Sequence, residues 1–161
     1  MYRTIDDVFC HVGIDPGASG AVAILDATTT IHSLNGVTDR ITWEVFRYFD
    51  PARTFAAIEA NTGYVGGAGN PGSAMFKFGV STGKLIGFLV AAGVPFETVT
   101  PRTWQKSLGI TSRKRTESKS QFKRRLRERA ERLFPSVKVT LATADALLIA
   151  EWCRRKRKGQ L

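Results

Sequence analysis

Three carboxylates stand where they could share one metal site. Asp15 ends an apolar run typical of a strand, Glu59 lies near the end of a second such run, and Asp145 falls in the first turn of the last helical segment. Mg²⁺ prefers hard oxygen ligands in near-octahedral geometry. Two such ions about 3.5–4 Å apart can generate the attacking hydroxide and stabilise the leaving oxygen of a phosphodiester. The three acids therefore predict a two-metal phosphodiesterase site.

Two of the acids also have a purely structural interpretation. Glu59 could be an exposed acid at a strand end, and Asp145 could serve only to complement the dipole of its helix. The two histidines, His11 and His32, lie in or beside predicted strands. We expect them to be structural or surface groups rather than metal ligands.

The stretch from 11 to 26 predicts the hairpin that carries the first acid. Two apolar runs flank a turn containing Pro16, Gly17 and Gly20, residues that allow a tight turn and a close approach of the backbone. Asp15 then sits at or near the centre of a sheet. Thr54–Ala60 is apolar on both faces, which predicts a strand covered by helices on each side.

The whole pattern predicts one α/β domain over residues 1–161, with a frayed basic tail from about residue 154. The element order is β-β-β-α-β-α-β-α-α-α, and Thr143 is the expected N-cap of the last helix. After the hairpin, strands are predicted over 30–34, 54–60 and 95–99, and helices over 42–50, 74–92, 101–108, 117–133 and from 144 to about 155.

The charge distribution points to a polyanionic partner. Residues 1–100 carry a net charge of −3 and residues 101–161 carry +13, an asymmetry for which nucleic acid is the commonest explanation. A solvated basic face is the bland alternative, and a basic membrane-surface helix fits less well because the run has few large apolar residues. The expected DNA-binding residues are Arg102, Lys106, Arg113, Lys114, Arg115, Lys119 and Lys123.

Composition also predicts what the protein does not do. We expect no membrane association, because no apolar run reaches the roughly 18–20 residues that span a bilayer, and no signal peptide. Cys10 and Cys153 are isolated thiols, which favours a reducing compartment over a disulfide or zinc site. The expected location is the cytoplasm of a bacterium or phage-infected host, or an organellar nucleoid, and not outside the cell.

Two glycine-rich features remain open in function. The loop over 61–73 lacks the Gly-Lys-Ser/Thr ending of a phosphate-binding P-loop, and its Tyr64 could either stack on a base or fold onto the core. Gly79, Gly83 and Gly87 form a ridge of small residues on the following helix. That ridge is suited to close packing in the core or in a dimer.

Taken together, the motifs resemble the RuvC-type Holliday junction resolvases of the RNase H-like (retroviral integrase) superfamily, particularly their phage and organellar branches. The resemblance covers most of residues 10–153. It rests on Gly13-Ile14-Asp15-Pro16-Gly17 with Ser19-Gly20-Ala21, Ile58-Glu59, Val99-Thr100-Pro101-x-x-Trp104-x-Lys106, Lys119-Ser120-Gln121, Leu133-Phe134-Pro135 and Ala144-Asp145-Ala146-Leu147-Leu148-Ile149-Ala150.

The resemblance implies a mixed five-stranded sheet flanked by helices, a homodimer, and paired nicks across a four-way DNA junction with Mg²⁺ or Mn²⁺. It assigns the metals to Asp15, Glu59 and Asp145. It places Lys106 and Lys119 near the scissile phosphate, with Lys119 counted among the catalytic residues. The loop that contains Tyr64 would enter the junction core.

One position departs from the family pattern. The family usually has a fourth metal-site residue about one helical turn before the equivalent of Asp145, and here that position is Ala142. Water could complete the shell, Asp26 or Thr143 could substitute, or Ala142 could itself be a replacement that disables the site.

Two rival functions follow. The chain could be a catalytically impaired protein of the same fold that only binds junctions, as Ala142 would allow. The Asp-Pro-Gly-Ala-Ser-Gly hairpin also resembles the phosphate-binding hairpin of sugar-kinase and actin-like ATPases, but 161 residues leave no room for their second domain. We therefore expect no nucleotide cofactor.

Overall fold

The computed structural model describes residues 9–60 and 72–161. Within them, five strands form one mixed sheet in the order β3-β2-β1-β4-β5. The elements are β1 (Cys10–Asp15), β2 (Ala21–Leu25), β3 (Thr29–Ser33), α1 (Asp39–Phe46), β4 (Thr54–Glu59), α2 (Gly72–Ala91), β5 (Phe96–Val99), α3 (Pro101–Ser107), α4 (Lys119–Leu133) and α5 (Ala144–Arg157). The predicted α/β class, element order and five-stranded sheet are confirmed.

The central strand β1 has one antiparallel and one parallel neighbour. Asp15 stands opposite Ala21 of β2, and Ile14 stands beside Ile58 of the parallel strand β4. Since the carboxyl ends of parallel strands meet at one edge of a sheet, the residues that end β1 and β4 are brought together. Those residues are Asp15 and Glu59.

Apolar side chains on opposite faces of the sheet form two separate cores. Val12 and Ile14 of β1 pack with α1 and α2, in a cluster that includes Phe46 and Leu89. The other cluster joins β2 and β4 to α3, α4 and α5, and Trp104 belongs to it. The prediction that β4 is covered by helices on both sides is therefore confirmed.

Helix α5 lies directly against β1 because of Gly13. A Cβ built on Gly13 would be 2.7 Å from Ala150 Cα and would also collide with Ala150 N and Ala146 O. Ten consecutive residues of α5, from Ala144 to Cys153, are buried. This close seat fixes where the first turn of α5 lies relative to the end of β1.

The structure corrects the predicted start of α1 and the predicted capping of α5. Helix α1 begins at Asp39 after an N-cap at Thr38, three residues before the predicted start, because the Thr-Asp start signal outweighs the aromatic spacing further on. Thr143 precedes α5 but makes no capping hydrogen bond with its side chain. Its hydroxyl is instead hydrogen-bonded to Thr140.

The basic tail predicted from about residue 154 is also different in the structure, because residues 154–157 form the last turn of α5. Arg154 and Arg155 form ion pairs with the buried Glu151, and Lys156 forms one with Glu97 of β5. These partners hold the turn in place.

Helix α2 packs with α1 on the face of the sheet opposite to α5, and most of its surface is exposed. Leu85 and Leu89 are its buried residues. By length and composition α2 could cross a membrane. Only 11% of its apolar stretch is buried inside the protein. The expectation that no stretch is long and apolar enough is wrong by this measure, because Lys77 and Lys84 interrupt the run without lowering its mean hydropathy enough.

Candidate metal and DNA site

Asp15 is held at the end of β1 by the turn that follows it. Its Oδ1 accepts a hydrogen bond from the Gly17 amide at 3.1 Å. A Cβ on Gly20 would lie 2.8 Å from Gly17 O and would collide with the Asp15 carbonyl oxygen, so the turn closes tightly only with glycine there. The carboxylate is thereby aimed by backbone geometry rather than by a flexible neighbour.

Glu59 is oriented by an indole. The buried Trp104 of α3 donates a hydrogen bond from Nε1 to Glu59 Oε2 at 2.8 Å. Burial raises the pKa of Glu59 to about 7, the Trp104 hydrogen bond opposes that rise, and Asp15 and Asp145 add to it. A nearby cation would stabilise the ionised form of this carboxylate.

Asp145 lies in the first turn of α5 and is only 5% exposed. Its Oδ2 accepts a charge-assisted hydrogen bond from the Lys123 ammonium. Its Oδ1 is buried and has no hydrogen-bond partner among the residues that the structure describes. An unpartnered carboxylate oxygen with little exposure to solvent carries a desolvation penalty, and a bound cation would relieve it.

The three carboxylates share one electrostatic environment. Burial is the main cause that raises the pKa of Asp15, and repulsion by Asp145 is the next. Glu59 is raised by the same two kinds of cause. In the described ranges, however, no three His, Cys, Asp or Glu side chains are grouped as a ready-made metal centre. The three acids lie in one region, but their side chains are not grouped closely enough to form a complete metal site in the described part of the chain.

Their chemistry fits a divalent cation. The set consists of carboxylate oxygens, the ligands that Mg²⁺ and Mn²⁺ prefer, and Asp145 Oδ1 is an acceptor without a partner. The neighbouring carboxylates help to raise the pKa of Asp15 and of Glu59, and a bound cation would offset this repulsion. Asp15, Glu59 and Asp145 are thus brought to one place, and their role as metal ligands stays a prediction.

An open cleft of about 600 Å³ adjoins Asp15. Asp15, the turn over 17–20, Lys119, Lys123 and Ala142 line it. Ala142 contributes no ligand atom. Two lysines on one face of α4 therefore confront the end of β1 across a space open to solvent.

The two residues considered as substitutes for a fourth ligand are engaged elsewhere. Asp26 follows the far end of β2, where its carboxylate accepts hydrogen bonds from Thr28. Thr143 is occupied by Thr140. Within the described chain neither residue completes the site.

The predicted DNA-binding residues that the structure describes are exposed, and they lie on α3, in the loop before α4 and on the part of α4 that lines this cleft. In that loop, Arg113 donates to the Glu117 carbonyl oxygen and Glu117 also pairs with Arg125. Lys106 lies in the last turn of α3. The exposed members of the predicted set are Arg102, Lys106, Arg113, Lys114, Arg115, Lys119 and Lys123. Tyr64 lies outside the described residues.

Sequence reasoning missed two contacts that shape the site. Trp104 was noted only as part of a motif, and its hydrogen bond to Glu59 depends on how α3 packs. Lys123 was counted among the DNA-binding residues, yet it is the lysine that contacts an acid of the site. Its place one helical turn after Lys119 was the available signal, since residues four apart share a helix face.

Comparison with known proteins supports this architecture. No protein-family model matches the sequence, and a search of curated proteins gives no match. Among solved structures, the chain is similar to RuvC of Thermus thermophilus in complex with a Holliday junction substrate, with a TM-score of 0.63 and 16% identity over 92% of this chain and 96% of that one. Another structure of Thermus thermophilus RuvC gives a TM-score of 0.59 and 18% identity over the same shares. The chain therefore has the RNase H-like fold of the RuvC structures.

Proposed function

We propose that the protein is a divalent-metal-dependent endonuclease that nicks four-way DNA junctions by phosphodiester hydrolysis. The observation that carries this proposal is the meeting of Asp15, Glu59 and Asp145, from β1, β4 and α5, beside a cleft lined by lysines. The fold shared with a RuvC structure that holds a Holliday junction substrate supports branched DNA as the substrate class. We therefore also propose that the protein acts in the cytoplasm of a bacterium or phage-infected host, or in an organellar nucleoid.

The residues of this chain have distinct tasks in that reaction. Asp15, Glu59 and Asp145 would hold Mg²⁺ or Mn²⁺, which when bound activates water and stabilises the leaving oxygen. The Gly17 amide and the Trp104 indole orient two of these carboxylates. Lys119 and Lys123 attract the phosphate backbone into the cleft and stabilise negative charge there.

The decisive experiment compares Asp15→Asn with a matched control. Wild-type protein and both variants are incubated with a synthetic four-way junction, a duplex and a replication fork, each with Mg²⁺ and with Mn²⁺. Asp15→Asn should slow nicking of the junction by more than about 100-fold, because even partners of metal ligands are worth 10- to 100-fold. It should still bind the junction, with the strong salt dependence of phosphate contacts.

Asp26→Asn is the control, since Asp26 is the acid at the far end of the same hairpin and contacts only Thr28 among the described residues. It should nick at the wild-type rate. Normal nicking by Asp15→Asn would refute the proposed site. Junction binding without nicking by the wild type, with either metal, would establish the impaired junction-binding protein instead.

We also infer that the protein works as a homodimer through α2. Its exposed face repeats at spacings of four and three residues, the pattern of helix–helix seams, and consists of Phe76, Val80, Gly83, Gly87 and Val90. In the described part of the chain, nothing lies within 4 Å of a Cβ built on Gly83 or Gly87. An antiparallel copy centred on Gly83 would place Phe76 opposite Val90 and Val80 opposite Gly87, large against small.

A bilayer is a poorer partner for this face. Lys77 and Lys84 lie within the helix, and each would cost about 2.5–3.5 kcal/mol near the centre of a membrane. Lys84 also pairs with Asp39 at 2.7 Å, and Ser81 donates a hydrogen bond to the Pro16 carbonyl oxygen at 2.7 Å. These contacts keep α2 on the sheet.

Sedimentation equilibrium tests the dimer. Gly83→Glu should shift the wild-type dimer to monomer, because it buries an unpaired charge at the centre of the seam. Ala74→Glu, exposed on the same helix but off the seam, should leave the mass unchanged. A monomeric wild type, alone and on junction DNA, would contradict the inference.

A further inference from the structure

The cleft contains a positive charge of its own beside the three acids. The Lys123 ammonium is bound to Asp145. The lysine therefore pairs with the acid at the start of α5 and lines the same cleft as Asp15.

The charges of this group balance a single divalent ion. When a cation is bound and all three carboxylates are ionised, the group that they form with the Lys123 ammonium has a net charge of −2. A second divalent ion would leave the group with a net positive charge, and the chain supplies no fourth acid, since Ala142 lines the cleft and Asp26 and Thr143 are engaged elsewhere. Two ions would have to share three carboxylates with a lysine already bound to one of them.

The two oxygens of Asp145 show the same division. Oδ2 is bound to Lys123, whereas Oδ1 is buried and has no partner within residues 9–60 and 72–161. One oxygen therefore serves the ammonium, and the other is free to bind a metal ion.

We propose that this site binds one divalent ion, held by Asp15, Glu59 and Asp145, and that Lys123 supplies the positive charge that a second ion would otherwise provide. The inference rests on the proposed nuclease function and concerns the same site. It assigns Lys123 a role distinct from that of Lys119, which lines the same cleft one helical turn earlier and has no ion-pair partner among the described residues.

The test counts bound Mn²⁺ in the absence of DNA, by titration calorimetry and by the electron paramagnetic resonance signal of free Mn²⁺. Wild-type protein should bind one ion per chain. Lys123→Met should bind that ion at least about tenfold more tightly, because removing a cation from a partly buried carboxylate frees a ligand oxygen. Lys123→Met combined with Ala142→Asp should bind two.

Lys119→Met is the matched control and should retain one ion, with an affinity change below about threefold, the size expected for an exposed charge without a partner. Lys123→Arg keeps the charge and should also bind one ion. Two ions of similar affinity in the wild type would overturn the proposal. An unchanged affinity in Lys123→Met would overturn it as well.

The outcome is independent of turnover. A wild type that binds one Mn²⁺ but nicks no junction would contradict the proposed function and leave the role of Lys123 intact. A wild type that nicks junctions and binds two Mn²⁺ ions per chain would support the proposed function and contradict the role of Lys123.

Discussion

Helices α5 and α2 cover opposite faces of the same sheet, and they do so in opposite ways. Ten consecutive residues of α5 are buried, whereas α2 buries Leu85 and Leu89 over its twenty residues. A single glycine, Gly13, lets α5 touch the backbone of β1, while the glycines of α2 face open space. One helix is part of the core that positions the site, and the other is a layer with an uncovered face.

The difference teaches how the same residue type serves two purposes. At Gly13 the missing side chain sets the distance between two elements of the chain itself, and with it the position of Asp145 relative to Asp15. On α2 the missing side chains leave a flat seam that a second helix could approach closely. Substituting glycine by alanine should therefore have opposite consequences in the two places.

The largest effect is expected for Gly13→Ala. The added methyl group would meet backbone atoms of Ala146 and Ala150, which cannot rotate away, so α5 must shift from the sheet. We expect the free energy of unfolding to fall by more than about 3 kcal/mol, the upper range for overpacking a core. Urea denaturation followed by circular dichroism measures it.

Gly13→Ala should also weaken Mn²⁺ binding wherever the variant remains folded, since Asp145 moves with α5. A loss of stability below about 1 kcal/mol would mean that α5 is not seated on β1 as described.

The sequence predicted the strands at the centre of the sheet better than the packing of the helix that covers them. Apolar runs located β1 and β4, and Asp15 and Glu59 were recognisable as the carboxylates at or near the ends of those runs. The packing of the C-terminal end of α5 was harder to predict from the sequence. Arg154–Arg157 read as a tail, and only the tertiary structure supplies the Glu151 and Glu97 carboxylates that hold them.

Contacts between distant side chains were beyond the reach of sequence patterns. The Trp104–Glu59 and Lys123–Asp145 pairs join residues 45 and 22 positions apart, and each depends on how one helix packs on the sheet. The sequence placed all four residues on the correct elements. It could not show which lysine would turn toward an acid and which toward solvent.

A second effect concerns the C-terminal end of α5. His11 is 3% exposed, and its pKa is lowered to about 4, first by burial and then by Lys158, Arg154 and Arg157. Because the unfolded chain binds a proton near pH 6.5 and the folded chain does not, the stability due to neutral His11 is present above pH 6.5. It is lost as the pH falls toward 4.

Between pH 6.5 and 4.5 this linkage is worth about 2 kcal/mol. His11→Gln should therefore lose less stability than the wild type over that interval, by about this amount, in urea denaturation at a series of pH values. His32→Gln, at an exposed position on β3, serves as the control and should follow the wild-type profile more closely. Parallel profiles for His11→Gln and wild type would show that α5 does not bury this imidazole against its cations.

The smallest effect, and the one of opposite sign, is expected for Gly83→Ala. Nothing lies within 4 Å of the added methyl group, so the substitution removes only the backbone freedom that makes glycine a poor helix residue, a gain of about 0.5–1 kcal/mol. Urea denaturation of dilute, monomeric protein should show this gain. At concentrations that form the dimer, the same methyl group should raise the dissociation constant, because two helices crossing at Gly83 would meet it from both sides. A loss of monomer stability would mean that α2 packs its glycines against the chain itself, and the contrast with α5 would then fail.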